Sequence, residues 1–329
     1  MLLKPDQILD IVHGTLFTSV SPEGETRFYR FSSKQQKAYA DRSESFGLKC
    51  YASSGVMLDF ITDSDTLSFT AELSKATTNE LSAIDLLIDG GIFQTVRFDD
   101  YGIKKIGFTL PMGEHRITVV LPWNSVTVLR DIALSDGAYI LPVEKAVRIL
   151  ALGDSITQGY TASYPSASYV SRYTLALNAE VLNQGIGGYK FYEESIDEEL
   201  GWQPDIITLA YGTNDYSVND SFSDFINYAE TYIEKLTRAF PDTPILGITP
   251  IFCGEEKRKI KEQTKDYTFE DAIQKLDEIY ARYPQIKVLD GISFYPHPID
   301  FFMPDWLHPN DIGFSYYAEA VIKALKEML

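Results

Sequence analysis

Six residues between positions 155 and 308 of this 329-residue chain offer groups suited to acyl chemistry. Ser155 stands in VRILALGDSITQGY (147–160), where an apolar run rich in β-branched residues ends abruptly in Gly-Asp-Ser. A serine hydroxyl is a poor nucleophile unless a neutral imidazole takes its proton during attack. That imidazole in turn needs an acceptor on its other nitrogen to fix tautomer and orientation. His308 and Asp305, three residues apart in DWLHPND (305–311), form such a pair if a compact turn brings the carboxylate to the imidazole Nδ1. Pro309 restricts the backbone of His308 and starts the turn into a helix. Alone, D-x-x-H also reads as a loop in which Asp305 caps that helix, and Gly-Asp-Ser as an ordinary turn.

Gly187 and Gly188 in GIGGYK (185–190), and Asn214 in GTND (212–215), have the character of oxyanion donors. A tetrahedral intermediate needs preorganised N–H groups around its developing charge. Glycines let backbone amides approach closely, and Asn adds a side-chain amide. A dinucleotide-binding fingerprint fails here, because Lys190 stands where its third glycine belongs. Asp154 reads as structural, holding the tight turn by accepting backbone N–H bonds. The four histidines (13, 115, 297 and 308) form no HxH or HExxH pair, so neither a metal nor another cofactor is expected. His297, in YPHP, reads as a satisfied loop histidine. Cys50 and Cys253 lie too far apart in sequence for a disulfide framework and read as buried free thiols.

These residues need elements to position them. Up to about Ile140 the chain runs in short alternating segments: 56–62, 66–73, 82–88, 91–98, 115–121 and 125–134 read as strands. Asp-Gly-Gly at 89–91 is a hairpin signal. No convincing 3.6-residue period occurs in this half beyond the first dozen residues, so an antiparallel sandwich is expected. After LPVEK (141–145) strands alternate with helices. Strand-like runs fall at 147–152, 179–183, 205–211, 244–250 and 286–290. Between them, Phe222, Phe225, Ile226, Ala229, Tyr232, Ile233 and Leu236 share one helical face, as do Phe269, Ile273, Leu276, Ile279 and Tyr280. A last helix is expected from about Gly313 to the C-terminus. Such alternation implies a mostly parallel sheet covered on both faces, with ligands beyond the carboxyl ends of its strands. Ser155, GIGGYK and GTND follow the first three of those strands, and DWLHPND precedes the last helix. The expected division is a β-sandwich domain at 1–143 and an α/β domain at 144–329, packed together because the connection at 141–146 is short.

A net charge of −18, from 47 acidic against 29 basic residues, argues against nucleic acid as a partner. The N-terminal MLLKPDQILDIVHG lacks an apolar signal region, and no run of 18 apolar residues exists. A cytoplasmic protein without membrane association is therefore expected.

In this order, GDS with Ser155, NQGIGG with Gly188 (counted from Asn183), GTND with Asn214, and DWLHPN with Asp305 and His308 resemble the blocks of the SGNH (GDSL-type) hydrolase superfamily. The resemblance covers roughly 147–329. It implies a flavodoxin-like three-layer α/β/α domain and ester hydrolysis by Ser155, His308 and Asp305. It also implies oxyanion contacts from the Ser155 and Gly188 amides and the Asn214 side chain. The GxSxG motif of α/β-hydrolases is absent, since Thr157 replaces its second glycine. The layout also looks like bacterial SGNH esterases in which a jelly-roll domain precedes the catalytic one, several of which remove acetyl groups from carbohydrates. The expected activity is thus a serine esterase on short-chain, acetyl esters, with O-acetylated carbohydrates as the substrate class. A lipase, thioesterase or lysophospholipase of the same superfamily is the nearest alternative. A carbohydrate-binding protein with an inactive α/β half is an alternative of another class. The N-terminal half either caps the site or mediates a homo-oligomer.

Overall fold

The short alternating runs of the first half pair as antiparallel strands in a computed structural model, which describes residues 1–78, 82–219, 221–251, 253–254 and 262–329. In chain order they are β1 (Val12–His13), β2 (Phe17–Val20), β3 (Thr26–Tyr29), β4 (Met57–Thr62), β5 (Thr66–Lys75), β6 (Ser82–Ile88), β7 (Gly91–Phe98), β8 (Gly102–Thr109), β9 (His115–Val120), β10 (Ser125–Leu134) and β11 (Leu141–Pro142). One sheet has the order β1-β4-β9-β6-β7, with β11 also on β4; the other runs β2-β3-β10-β5-β8. The period of two shows plainly in β5, where Leu67, Phe69, Ala71 and Leu73 are buried. They pack in one core with Leu58, Phe60, Ile84, Leu86, Ile117 and Val119 of the facing sheet. Each of the larger side chains contributes about 1.5–3 kcal/mol by leaving water. Asp89 and Gly90, both at positive φ (51° and 82°), close the β6–β7 hairpin as a type I′ turn requires.

The sandwich half also carries helices that its sequence pattern does not announce. Beyond α1 (Pro5–Ile11) come α2 (Ser33–Arg42) and α3 (Glu44–Lys49), correcting the expectation of an all-strand half. Only Gln35 and Tyr39 of α2 are buried, so its inner face holds one apolar residue and no stripe emerges. Its start was nonetheless marked, by the S-x-x-Q capping box of Ser32 and Gln35. Strands β2, β3 and β8 likewise fall outside the runs singled out from the sequence.

In the second half all five strands are parallel: β12 (Val147–Gly153), β13 (Ala179–Gly185), β14 (Ile206–Ala210), β15 (Ile245–Ile248) and β16 (Ile286–Leu289), in the order β13-β12-β14-β15-β16. Neighbouring residues point to opposite, equally buried faces. Ile149 and Ala151 join the core beneath α5 (Tyr169–Leu177) and the C-terminal helix Asp311–Lys326. Leu150 and Leu152 join the core beneath the helices Phe222–Ala239 and Phe269–Tyr280. This is a three-layer α/β/α arrangement with flavodoxin-like strand order, preceded by an antiparallel sandwich. The order reverses at β12, so a crevice opens past the carboxyl ends of β12 and its neighbours.

The two halves are joined by polar anchors as well as apolar ones. Tyr39 of α2 packs on Tyr189 with ring centroids 4.4 Å apart. The buried Arg30 guanidinium donates to Ala52 O (2.7 Å), Lys49 O (3.1 Å) and Asn183 O at the end of β13. Among the described residues no helix is long and apolar enough to cross a membrane.

Candidate active site

Ser155 is the first residue of a single helical turn, α4 (Ser155–Gln158), directly after β12. Asp154 caps that turn, its Oδ1 accepting the Ile156 N–H at 3.0 Å, the structural part its position suggested. Burial pushes the Asp154 carboxyl up to about 6, against the lowering effect of that bond and of nearby His308. The turn sits hard on β13, and Gly185 makes this possible: a Cβ there would lie 2.4 Å from Gln158 N.

His308 reaches Ser155 from the other end of the chain. Its Nε2 lies 2.8 Å from Ser155 Oγ, and its Nδ1 lies 2.5 Å from Asp305 Oδ2. The other Asp305 oxygen accepts the N–H groups of Leu307 (2.9 Å) and His308 (3.0 Å). Burial raises the Asp305 carboxyl, but these bonds outweigh it and hold the group well below the usual carboxylate range. An ionised carboxylate only accepts, so Nδ1 carries the imidazole proton and Nε2 presents a lone pair to the serine hydroxyl. The turn between them passes through Trp306 at φ 56°, a left-handed conformation rare for a bulky residue. Asp305 does not cap the following helix; Asn310 does, accepting from Ile312 and Gly313.

The loop carrying His308 is tied to the loop after α4. Thr161 Oγ1 donates to Pro309 O at 2.8 Å, and Asp311 accepts from the Ser163 N–H at 2.9 Å. Tyr160 meets the His308 ring edge-on, centroids 4.7 Å apart, and Trp123 from the sandwich half packs behind Tyr160 at 5.7 Å. Neither aromatic was singled out from the sequence, because their roles come from partners far along the chain.

Gly188 lies in a tight turn, Ile186–Tyr189, closed by a 3.0 Å bond from Tyr189 N to Ile186 O. Its φ of 83° at the third position is what a type II turn demands. Gly187 N–H donates to Gln158 Oε1 at 2.7 Å. Among the described residues the Ser155 and Gly188 amides have no hydrogen-bond acceptor. Asn214 begins beside them after β14, but its Nδ2 already makes two long contacts, to Tyr189 O (3.2 Å) and Asp154 Oδ2 (3.3 Å). Ser155, Gly187, Gly188, Asn214, Asp305 and His308 therefore gather at one edge of the parallel sheet. His297 lies apart from them, its Nε2 on Ile292 O at 3.0 Å, and Cys50 and Cys253 are buried and form no disulfide. Among the described residues no cluster of three His, Cys, Asp or Glu side chains is arranged to hold a metal ion.

Residues 151–315, half of the chain, match the GDSL-like lipase/acylhydrolase family. No curated protein matches the chain by sequence. Among solved structures, a salicylyl-acyltransferase from a tetracycline biosynthetic pathway is similar, with a TM-score of 0.80 at 20% identity over 96% of this chain and 94% of its own. A protein of Bacteroides ovatus described as a GDSL-like lipase has a TM-score of 0.77 at 19% identity, over 99% of this chain and 98% of its own. An acetyl xylan esterase from the rumen bacterium Butyrivibrio proteoclasticus has a TM-score of 0.61 at 17% identity, over 83% and 89%. At these identities the likeness is one of fold, and it spans both the sandwich and the α/β half. The chain belongs to the GDSL-like lipase/acylhydrolase family and is an ester-hydrolysing enzyme.

Proposed function

We propose that the protein is a serine esterase that removes short acyl groups, acetyl above all, from carbohydrate esters through Ser155, His308 and Asp305. The observation that carries this reading is the continuous relay from Ser155 Oγ through His308 to Asp305, at 2.8 Å and 2.5 Å. Ser155 Oγ attacks the ester carbonyl while His308 Nε2 takes its proton, and the ionised Asp305 stabilises the imidazolium. The carbonyl oxygen becomes an oxyanion held by the Ser155 and Gly188 amides. Asn214 joins them by exchanging its long 3.3 Å contact to Asp154 for a shorter one to the oxyanion. His308 then protonates the departing alcohol. Water attacks the acyl-enzyme through the same base, releasing the acid and restoring Ser155.

We place the division of labour at residues 143 and 144, the sandwich acting as an accessory domain that buttresses the catalytic turns. Support for an acetylated carbohydrate comes from the acetyl xylan esterase among the similar structures. An acyl-enzyme also passes its acyl group to an alcohol, and another similar structure is an acyltransferase. The assay therefore measures both acetate release from acetylated oligosaccharides and transfer to added alcohols, with Ser155→Ala as control. Acetate release that vanishes in Ser155→Ala is expected. Preference for octanoyl over acetyl esters would favour a lipolytic enzyme instead, and sugar binding without Ser155-dependent turnover would overturn the esterase reading.

A further inference from the structure

The tight turn Ile186–Tyr189 has one central peptide, Gly187–Gly188. Its carbonyl oxygen accepts a hydrogen bond from Lys49 Nζ at 2.7 Å, across 138 residues of sequence. This lysine ends α3, in the sandwich half. It is half-buried beside the Phe46 ring (5.4 Å) and has no carboxylate partner among the described residues. Burial accordingly lowers its pKa. Lysine normally keeps its ammonium in water, so directing it onto a neutral carbonyl calls for a reason. Its backbone is also fixed: Arg30 Nη2 holds Lys49 O at 3.1 Å while the same guanidinium grips Asn183 O at the end of β13. A Cβ built on Gly187 would lie 3.6 Å from Ser155 Cβ and 3.8 Å from Lys49 Nζ. Cation, turn and nucleophile thus converge within the width of one residue.

We infer that Lys49 is a positioning residue for ester hydrolysis, holding the Gly187–Gly188 peptide so that the Gly188 N–H serves the oxyanion. The inference rests on the hydrolase mechanism proposed above. The C=O and N–H of a trans peptide point in opposite directions, so anchoring the carbonyl on Lys49 commits the N–H to the other side. Without that anchor, two consecutive glycines let the central peptide rotate at little steric cost, since neither has a Cβ to resist. A rotated peptide would present a carbonyl where the intermediate needs a donor. A charged donor on the carbonyl also polarises the amide, strengthening its N–H. Gln158 Oε1 on Gly187 N–H fixes the preceding peptide, leaving the Gly187–Gly188 unit to Lys49.

The test compares wild type with Lys49→Met, Lys49→Gln and Lys49→Arg on a p-nitrophenyl acetate substrate. It also measures inhibition by a trifluoromethyl ketone, whose serine adduct carries an oxyanion, and thermal unfolding. We expect kcat to fall about 10- to 100-fold in Lys49→Met and Lys49→Gln, part of the ~10²–10³ that a whole oxyanion donor supplies. KM should stay near the wild-type value, the ketone should weaken by the same factor as kcat/KM, and Lys49→Arg should recover most of the loss. Unchanged kcat and ketone affinity in the Met and Gln variants would overturn the inference while leaving the hydrolase reading intact. So would a loss confined to KM and unfolding temperature that Lys49→Arg does not relieve. A wild-type protein without Ser155-dependent turnover would overturn the hydrolase reading itself, and the inference with it.

Discussion

Gln158 Oε1 accepts the Gly187 N–H at 2.7 Å, so the residue that ends the nucleophile's helical turn also holds the turn that follows β13. One side chain thereby fixes the spacing of two loops from different strands. Gln158 is buried, and among the described residues its Nε2 makes only a long contact to Trp123 O, at 3.4 Å. Gln158→Leu keeps the volume but leaves Gly187 N–H without its acceptor. A fall in kcat of about tenfold is expected with KM little changed, the signature of lost transition-state geometry. Steady-state kinetics on a short-chain ester check it.

Asp305 makes a different kind of contribution, by setting which nitrogen of His308 is the base. In Asp305→Asn the amide oxygen can still accept from the Leu307 and His308 N–H groups, so the loop is retained. The Nδ1 of His308 then faces an amide that donates as readily as it accepts, and the tautomer with a free Nε2 lone pair loses its support. The expected loss is about 10²–10⁴ in kcat. It should appear equally in the rate of Ser155 acylation by a reactive ester.

A pH effect on stability follows from buried acids rather than from the relay. Burial pushes the Asp215 carboxyl up to about 7 and Asp154 up to about 6, against an ordinary value of 3.8. Between pH 4 and 7 the folded chain therefore holds protons that the unfolded chain has released, and stability falls as pH rises through that window. For Asp215 the loss approaches about 4 kcal/mol by pH 7. Asp305 acts oppositely and lower: its contribution is present above 3.8 and is lost only as pH falls below that value. Asp215→Asn should gain stability relative to wild type as pH rises from 4.5 to 7.5, measured by denaturant unfolding. A difference independent of pH would contradict this.

Arg30 joins the two halves through three backbone carbonyls, those of Ala52, Lys49 and Asn183. Arg30→Met would leave the Ala52 and Asn183 carbonyls without this donor, while Lys49 O keeps the Ala52 N–H at 3.1 Å. Each unsatisfied group costs roughly 1–3 kcal/mol, so the chain should lose at least about 2 kcal/mol of stability. Denaturant midpoints compare the two proteins.

The α/β half was legible because strands buried on both faces become continuous apolar runs, such as ILAL at 149–152, punctuated by polar loops. The glycines, serine and asparagine stood out because they interrupt that pattern at the carboxyl ends of the first three strands, and Asp-x-x-His because it directly precedes the last helix. The helices at 33–42 and 44–49 were hidden because their inner surfaces are polar or sparse: Gln35 bonds Gln184, and Lys49 bonds Gly187 O. Lys49, Gln158, Tyr160 and Trp123 escaped notice for a related reason. Each acts through a partner distant in sequence, as Lys49 does on Gly187, and no local spacing records such a contact.

The central claim is that Ser155 is the nucleophile and that His308 makes it reactive. Reaction with a fluorophosphonate, followed by mass spectrometry of the intact protein and its peptides, tests it most directly. One adduct per chain is expected, on Ser155, forming in step with loss of esterase activity. That adduct should be absent in Ser155→Ala and should form about 10²-fold or more slowly in His308→Ala. Full esterase activity with Ser155 unlabelled, or labelling equally fast without His308, would contradict it.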